Sequence, residues 1–220
     1  MSEGGGSLLD CLEADERRHL LAQTTRRRFK RGEVLFHDGD PGDTLHLIEK
    51  GHVAIRTATP LGDVATFAVL GPGDVFGEQA VLREGDRRSA TAVAVELAET
   101  RTLRRDQFEQ LRQAHPQIDR FLIEVLVAQV RQLNSHLQEA LYVPAETRVL
   151  RRVLGLVASY TEADGTCVIP LTQDDVASMA GTSRPTANRV LKAAEAEGAL
   201  RIGRGRIDVL DAEALTLRAR

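Results

Sequence analysis

A chain of 220 residues has room for two small domains, each with its own core. With 42% hydrophobic and 28% charged residues, no run of membrane-span length and no signal core in MSEGGGSLLD, it reads as a soluble, cytoplasmic protein with no membrane partner. The formal net charge of −3 does not advertise a polyanion partner, and two distant cysteines (Cys11, Cys167) and six scattered histidines give no sign of a disulfide framework, a metal site or a covalent cofactor.

Leu8, Leu12, Leu20 and Leu21 fall on one side of a short amphipathic helix over 8–23. From Thr24 to Leu103 the apolar residues come in short runs. Strands are predicted over 33–36, 44–48, 52–56, 63–70, 89–96 and 100–103, separated by the turn 38–43, by Gly51 and by Gly71-Pro72-Gly73. Short strands punctuated in this way predict a β-roll or barrel rather than a parallel sheet. A short helix over 106–114 follows. Pro116 then opens a long helix that runs over 117–142 without a breaker. Ile118, Leu122, Val125 or Leu126, Val130, Leu133, Leu137 and Leu141 recur every three or four residues along a rod of about 37 Å. One apolar stripe of that length fits a dimer seam; the alternative is a stripe packed only on its own β-roll. Val143-Pro144-Ala145 breaks the rod as a hinge and starts a helix through Tyr160.

Within the strand region lies FGEQAVLREGDRRSATA, in which Glu78 and Arg88 stand ten positions apart. Gly77 lets the backbone approach a ligand, and the turn 78–82, beginning Glu78-Gln79-Ala80, can offer N–H groups to an anion. Glu78 can accept from a sugar hydroxyl. Arg88 supplies a planar fork of donors suited to phosphate, and Ser89 adds a hydroxyl and an N–H. A ribose acceptor beside a cationic cradle describes a nucleotide site. The alternative is a surface loop that no longer holds a ligand.

Beyond the hinge helix a short hairpin is predicted over 166–171. Thr172 caps the next helix with Asp175 as reciprocal partner, and that helix runs through Ala180 to the turn Gly181-Thr182-Ser183. Ser183 caps a second helix whose first turn carries Arg184 and tolerates Pro185. Val190, Leu191 and Ala194 should face inward, and Arg184, Thr186, Asn188, Arg189 and Lys192 outward. Gly198 ends this helix, and 200–210 reads as a hairpin with Gly203-Arg204-Gly205 near its tip. That pattern is a winged helix-turn-helix. Between Thr182 and Arg206 six basic residues face two acidic ones, a basic patch on an acidic chain, as DNA contact requires. The alternative is a small helical domain with no DNA role. No nucleophile with a base and an orienting group is present, so no enzyme is expected.

The cassette, the long helix, the hinge and GTSRPTANRVLK, in that order, resemble the cyclic-AMP receptor and FNR family of bacterial transcription regulators over roughly residues 20 to 210. The resemblance implies an α+β fold: an N-terminal helical segment (1–23), a cyclic-nucleotide-binding β-roll (24–115), a dimerisation helix and hinge (116–143) and a winged helix-turn-helix (144–220). It implies Gly77, Glu78, Arg88 and Ser89 as ligand contacts, with Gln79 and Ala80 beside them. Leu133-Asn134 stand where cyclic-AMP members carry a Thr-Ser pair against the adenine; Leu133 cannot hydrogen-bond a base, whereas Asn134 and Ser135 can. For DNA it implies Thr182, Ser183, Arg184, Pro185, Thr186, Asn188, Arg189, Lys192 and Arg204, with Arg184 and Arg189 at base edges or phosphates. Pro185 stands where the best-known members place a Glu that reads a cytosine, so their operator is not carried over unchanged. An iron–sulfur member would need four cysteines, and a haem-sensing one a ligand near the cassette. The expectation is a homodimer that binds palindromic double-stranded DNA under allosteric control by cyclic AMP, with cyclic GMP as second candidate and RNA polymerase as a further partner. Two rivals stand: a regulator of the same fold with a vestigial cassette, and a cyclic-nucleotide-binding protein that regulates a protein partner.

Overall fold

The structure is a computed structural model that describes residues 7–59 and 62–220. It divides into two compact units, one of the described residues in Ser2–Ala58 with Phe67–Val130, the other of those in Thr59–Thr66 with Arg131–Arg220.

The helix expected over 8–23 is two pieces, a 3-10 turn at Leu8–Cys11 and α1 at Ala14–Gln23. Each has its own cap: Ser7 and Asp10 exchange hydrogen bonds around the first, Glu13 and Glu16 around the second, and Leu12 between them is extended. Strands β1 (Thr25–Phe29), β2 (Val34–Phe36), β3 (Thr44–Lys50), β4 (Val53–Ala58), β5 (Val64–Leu70), β6 (Val75–Phe76), β7 (Thr91–Ala94) and β8 (Ala98–Arg104) form two four-stranded sheets, with the helix α2 (Glu78–Leu82) between β6 and β7. The sheets have the orders β1-β8-β3-β6 and β2-β7-β4-β5. Period-two alternation on β3 builds two cores at once. Leu45 and Leu47 join Leu8, Leu20, Phe108 and Ile118 in a helical layer, whereas Ile48 joins Phe29, Val53 and Phe76 in the other core cluster. α3 (Arg105–Ala114) and the first turns of α4 (Gln117–Tyr142) close the helical layer.

The bounds of α4 are those predicted, but its apolar residues form two faces rather than one stripe. Ile118, Phe121 and Leu122 are buried with Val125 packed beside them, while Ile123, Val127, Val130, Leu133, Leu137 and Leu141 are exposed. The inner set packs within its own unit, so packing on the β-roll side accounts for those residues alone and leaves the outer set exposed.

In the other unit α5 (Ala145–Tyr160), α6 (Gln173–Ala180), α7 (Arg184–Ala196) and α8 (Ala212–Arg218) surround a buried core that includes Val149, Val153, Val176 and Leu191. A three-stranded sheet has the order β10-β11-β9, from β10 (Leu200–Gly203), β11 (Arg206–Val209) and β9 (Cys167–Ile169). The hairpin predicted over 166–171 is thus a single strand whose partner, β11, lies some forty residues on, as in Ile207↔Ile169. Two α5 arginines fix the turn ahead of α7. Arg148 donates to the carbonyls of Val143 (2.8 Å), Ala180 (2.9 Å) and Gly181 (3.1 Å), and Arg152 to that of Met179 (3.2 Å). The Glu139 carboxylate, near the end of α4, pairs with both Arg151 and Arg152. Among the described residues no helix is long and apolar enough to cross a membrane.

Candidate functional site

Gly77 has to be glycine on two counts. It caps α2 in the left-handed conformation (φ +81°), and a Cβ there would sit 2.3 Å from Arg88 Nη1 and 3.1 Å from the Thr44 carbonyl oxygen. Arg105 braces the far end of α2, donating to the carbonyls of Ala80 (2.7 Å), Val81 (2.8 Å) and Gly42 (2.8 Å). Gly42 packs so closely on α2 that a Cβ would meet Ala80 Cβ at 2.1 Å. The β-turn before β3 and the short helix therefore hold one another at a fixed height.

Arg88 is reached from the other side. Its N–H donates to the Asp40 carbonyl at 2.8 Å and its carbonyl accepts from Gly39 at 2.9 Å, which draws its side chain inward. The residue is only 4% exposed, and its guanidinium lies over the Phe36 ring, 4.1 Å from the centroid. Nη1 donates to the Gly77 carbonyl (3.2 Å) and Nη2 to Thr44 Oγ1 (2.8 Å), while Nε is buried with no hydrogen-bond partner. None of these partners is a carboxylate. Burial holds the guanidinium below its ordinary pKa, against Asp43, Glu78 and Asp40, which act the other way.

Glu78 is equally buried, at 4% exposure, and accepts from Gln129 Nε2 at 3.0 Å. Ala80 is buried, whereas Gln79 and Ser89 are exposed and bonded to each other, Ser89 Oγ donating to Gln79 Oε1 at 2.9 Å. Beneath Arg88, His46 stacks on Phe76 with ring centroids 4.9 Å apart. Burial first, then Arg88 and Arg27, push the His46 imidazole down to about 3, so it is neutral at physiological pH. The structure thus brings together Gly77, Glu78, Gln79, Ala80, Arg88 and Ser89. Asn134 and Ser135 belong to the other unit, where both are exposed on α4.

Sequence reasoning missed Phe36, Thr44, His46, Arg105 and Gln129. For Gln129 a signal existed: it continues the inward spacing Ile118, Leu122, Val125 as the one polar residue of that series.

At the helix-turn-helix the caps and helix starts are those expected. Thr172 and Asp175 form the reciprocal cap of α6, Gly181 ends it at φ +57°, and the Thr182 N–H closes back on the Ala177 carbonyl at 3.0 Å. Ser183 Oγ accepts from the Thr186 N–H at 3.4 Å, and Pro185 takes the first turn of α7. Ala187, Val190, Leu191 and Ala194 are buried. Arg184, Pro185, Arg189 and Lys192 are exposed, with Thr182, Thr186 and Asn188 half-buried. The register Gly203↔Arg206 leaves Arg204-Gly205 as a two-residue turn with Gly205 at φ +71°, and Arg204 is exposed at the wing tip.

Comparison with known proteins agrees with this geometry. Residues 26–115 match the cyclic nucleotide-binding domain family, and residues 147–218 match the Crp-like helix-turn-helix domain family. Over 211 residues the chain is 33% identical to the cyclic AMP receptor protein of Thermus thermophilus, covering 96% of this chain and 95% of that protein. It is 30% identical over 195 residues to a CRP-like cAMP-activated global transcriptional regulator of Mycobacterium tuberculosis, covering 87% of each. A solved CRP/FNR-family transcriptional regulator from Thermus thermophilus aligns with a TM-score of 0.73 at 25% identity, covering 89% of this chain and 98% of that one.

Proposed function

The chain belongs to the cyclic-AMP receptor and FNR family of transcription regulators, and on that footing we propose that it is a homodimer whose operator binding is gated by cyclic AMP held at Arg88 and Glu78. Arg88 is the observation that carries the ligand reading. A buried cation without an anionic contact is costly, and a cyclic phosphate supplies the missing charge and an acceptor for Nε. Glu78 has carboxylate capacity left for a ribose hydroxyl beyond its bond to Gln129. Choice of base falls to Asn134 and Ser135, whose side chains can both donate and accept. Cyclic AMP is placed ahead of cyclic GMP because the two relatives above are named for it.

The exposed outer face of α4, from Ile123 to Leu141, supports dimerisation along that helix. Two copies of α7 related by a dimer axis would read a palindrome with half-sites about 34 Å apart. Thr182, Ser183, Thr186, Asn188, Lys192 and the wing residue Arg204 would hold phosphates and register, while Arg184 and Arg189 read base edges.

Calorimetry with cyclic AMP and cyclic GMP on the full-length protein, together with operator binding with and without each, tests this reading. Arg88→Met keeps the contact with Phe36 and removes the charge. Truncating one partner of a buried charge pair costs about 2–5 kcal/mol, so cyclic AMP affinity should fall about 30- to 5000-fold. Unchanged affinity in the folded variant would remove the site assignment. Operator binding indifferent to both nucleotides would establish the vestigial-cassette reading instead.

A further inference from the structure

Every cation that α7 turns outward is already engaged by a carboxylate. Arg184 Nε lies 3.3 Å from Asp174 Oδ1, Arg189 Nη2 donates to Glu146 Oε1 at 2.8 Å, and Lys192 Nζ donates to Glu195 Oε2 at 2.8 Å. The lysine pair lies within α7 itself, and Glu195 also accepts from the Ile202 N–H of the wing at 2.7 Å. The two arginine pairs have a different origin. Asp174 comes from the first turn of α6 and Glu146 from the first turn of α5, both helices that pack on α7. A carboxylate in a first turn is favoured by the helix dipole, so each acid has a reason to stay where it is.

These pairs contribute little to the fold. All four side chains are more than half exposed, and ion pairs of that kind are screened and nearly neutral for stability. Their consequence lies at the surface that meets DNA. A phosphate drawn to Arg184 or Arg189 must also approach Asp174 or Glu146, and like charges in juxtaposition oppose it. The O6 and N7 acceptors of guanine belong to a neutral base and carry only partial charge, so they meet far less repulsion. Arg189 has committed one Nη2 hydrogen to Glu146, which leaves Nε, Nη1 and the other Nη2 hydrogen as donors and reduces the rotamer freedom lost on binding.

We propose that Glu146 and Asp174 are specificity-determining positioning residues, which aim Arg189 and Arg184 at base edges and penalise their use on phosphates of non-operator DNA. The inference rests on the reading of α7 as the recognition helix. Removing either carboxylate should therefore release an arginine to the backbone and make binding tighter but less selective.

The test uses the full-length protein with cyclic AMP, an operator selected from a random library, and a duplex of the same length and scrambled sequence. Glu146→Gln and Asp174→Asn should each raise affinity for the scrambled duplex. The operator-to-scrambled ratio should fall about 3- to 10-fold, and the salt dependence on scrambled DNA should steepen by about two units of log–log slope, roughly one for the arginine freed in each protomer. In an Arg189→Gln background, Glu146→Gln should no longer change the ratio, a dependence that a merely structural role would not produce. If Arg189→Gln and Arg184→Gln leave operator affinity intact, the reading of α7 fails and this inference with it. If those arginines matter but neither neutralised carboxylate moves the ratio, the inference alone is overturned.

Discussion

The Gln129 side-chain amide donates to the Glu78 carboxylate at 3.0 Å, joining α4 to the cassette across 51 residues of sequence. Glu78 is buried, so the bond meets a charge that water does not reach well. Removing the donor leaves part of that carboxylate unsatisfied, at a cost of about 1–3 kcal/mol. Gln129→Ala should lower the stability of the ligand-free protein by that amount in urea unfolding. Cyclic AMP should recover part of the loss, because a ribose hydroxyl can take the place of the amide. A variant as stable as the wild type would show that the bond does not hold Glu78.

Gly77 and Gly85 allow conformational strain to be separated from steric conflict. Both have φ near +81°, but a Cβ at Gly85 meets nothing within 4 Å, whereas one at Gly77 collides with Arg88 Nη1. Left-handed backbone costs a non-glycine residue about 1–2 kcal/mol, so Gly85→Ala should be destabilised by that amount and still bind nucleotide. Gly77→Ala should lose more stability and displace Arg88. Its cyclic AMP affinity, measured by calorimetry, should fall at least as far as that of Arg88→Met. Equal binding by the two alanine variants would contradict the packing described.

What could be read from the chain was what local chemistry dictates. Pro116 and Pro144 bracket α4, and Thr172, Ser183 and Pro185 set the starts of α6 and α7, so those bounds were visible. β1 was not, because Thr-Arg-Arg-Arg-Phe shows no alternation; it is a strand only because Thr25 to Phe29 pair with β8. β6, two residues long, and α8 were likewise unplaced. β9 looked like half of a hairpin for the same reason, its true partner being remote in sequence. In the cassette, Glu78 and Arg88 were legible from their spacing. The Phe36 ring under Arg88 and the Thr44 hydroxyl beside it were not, since tertiary pairing alone brings them there.

His46 gives the stability a pH dependence of known sign. Its ordinary pKa is 6.5 and burial lowers it to about 3, so between those values the unfolded chain takes up a proton that the folded one refuses. Stability should fall as the pH drops through that window, by up to about 1.4 kcal/mol per unit from this one group. The ring packs against Phe36 and Phe76, which also touch each other, and lies near the hydroxyls of Thr44 and Thr100, none of which titrates there. Urea midpoints at pH 7, 6 and 5 should decline less steeply in His46→Phe. Parallel declines in the two proteins would place the pH sensitivity elsewhere.

Leu137 is 60% exposed on the outer face of α4, between Leu133 and Leu141. In the proposed dimer a lysine there would face its symmetry mate or neighbouring leucines across the seam, and losing a central anchor of an interface costs about 2 kcal/mol or more. Leu137→Lys should sediment as a monomer at concentrations where the wild type is a dimer, bind operator at least about 30-fold more weakly, and keep its circular dichroism spectrum. A monomeric variant with undiminished operator affinity would break the link between seam and palindrome.

Pro185 is exposed in the first turn of α7 beside Arg184. Its ring offers no hydrogen bond, so it cannot accept from a cytosine amino group as a Glu in that place could; it can contact a thymine methyl or leave the base unread. Arg184 and Arg189 retain donors for bidentate contact with guanine, each worth about 1–3 kcal/mol of discrimination. Selection from a random DNA library should therefore return two well-specified positions per half-site, with a relaxed or thymine-tolerant base where Pro185 points. Pro185→Glu should acquire a preference for a C·G pair at that position and leave the other two unchanged. If wild type and variant select the same strict base there, α7 does not enter the groove by its first turn.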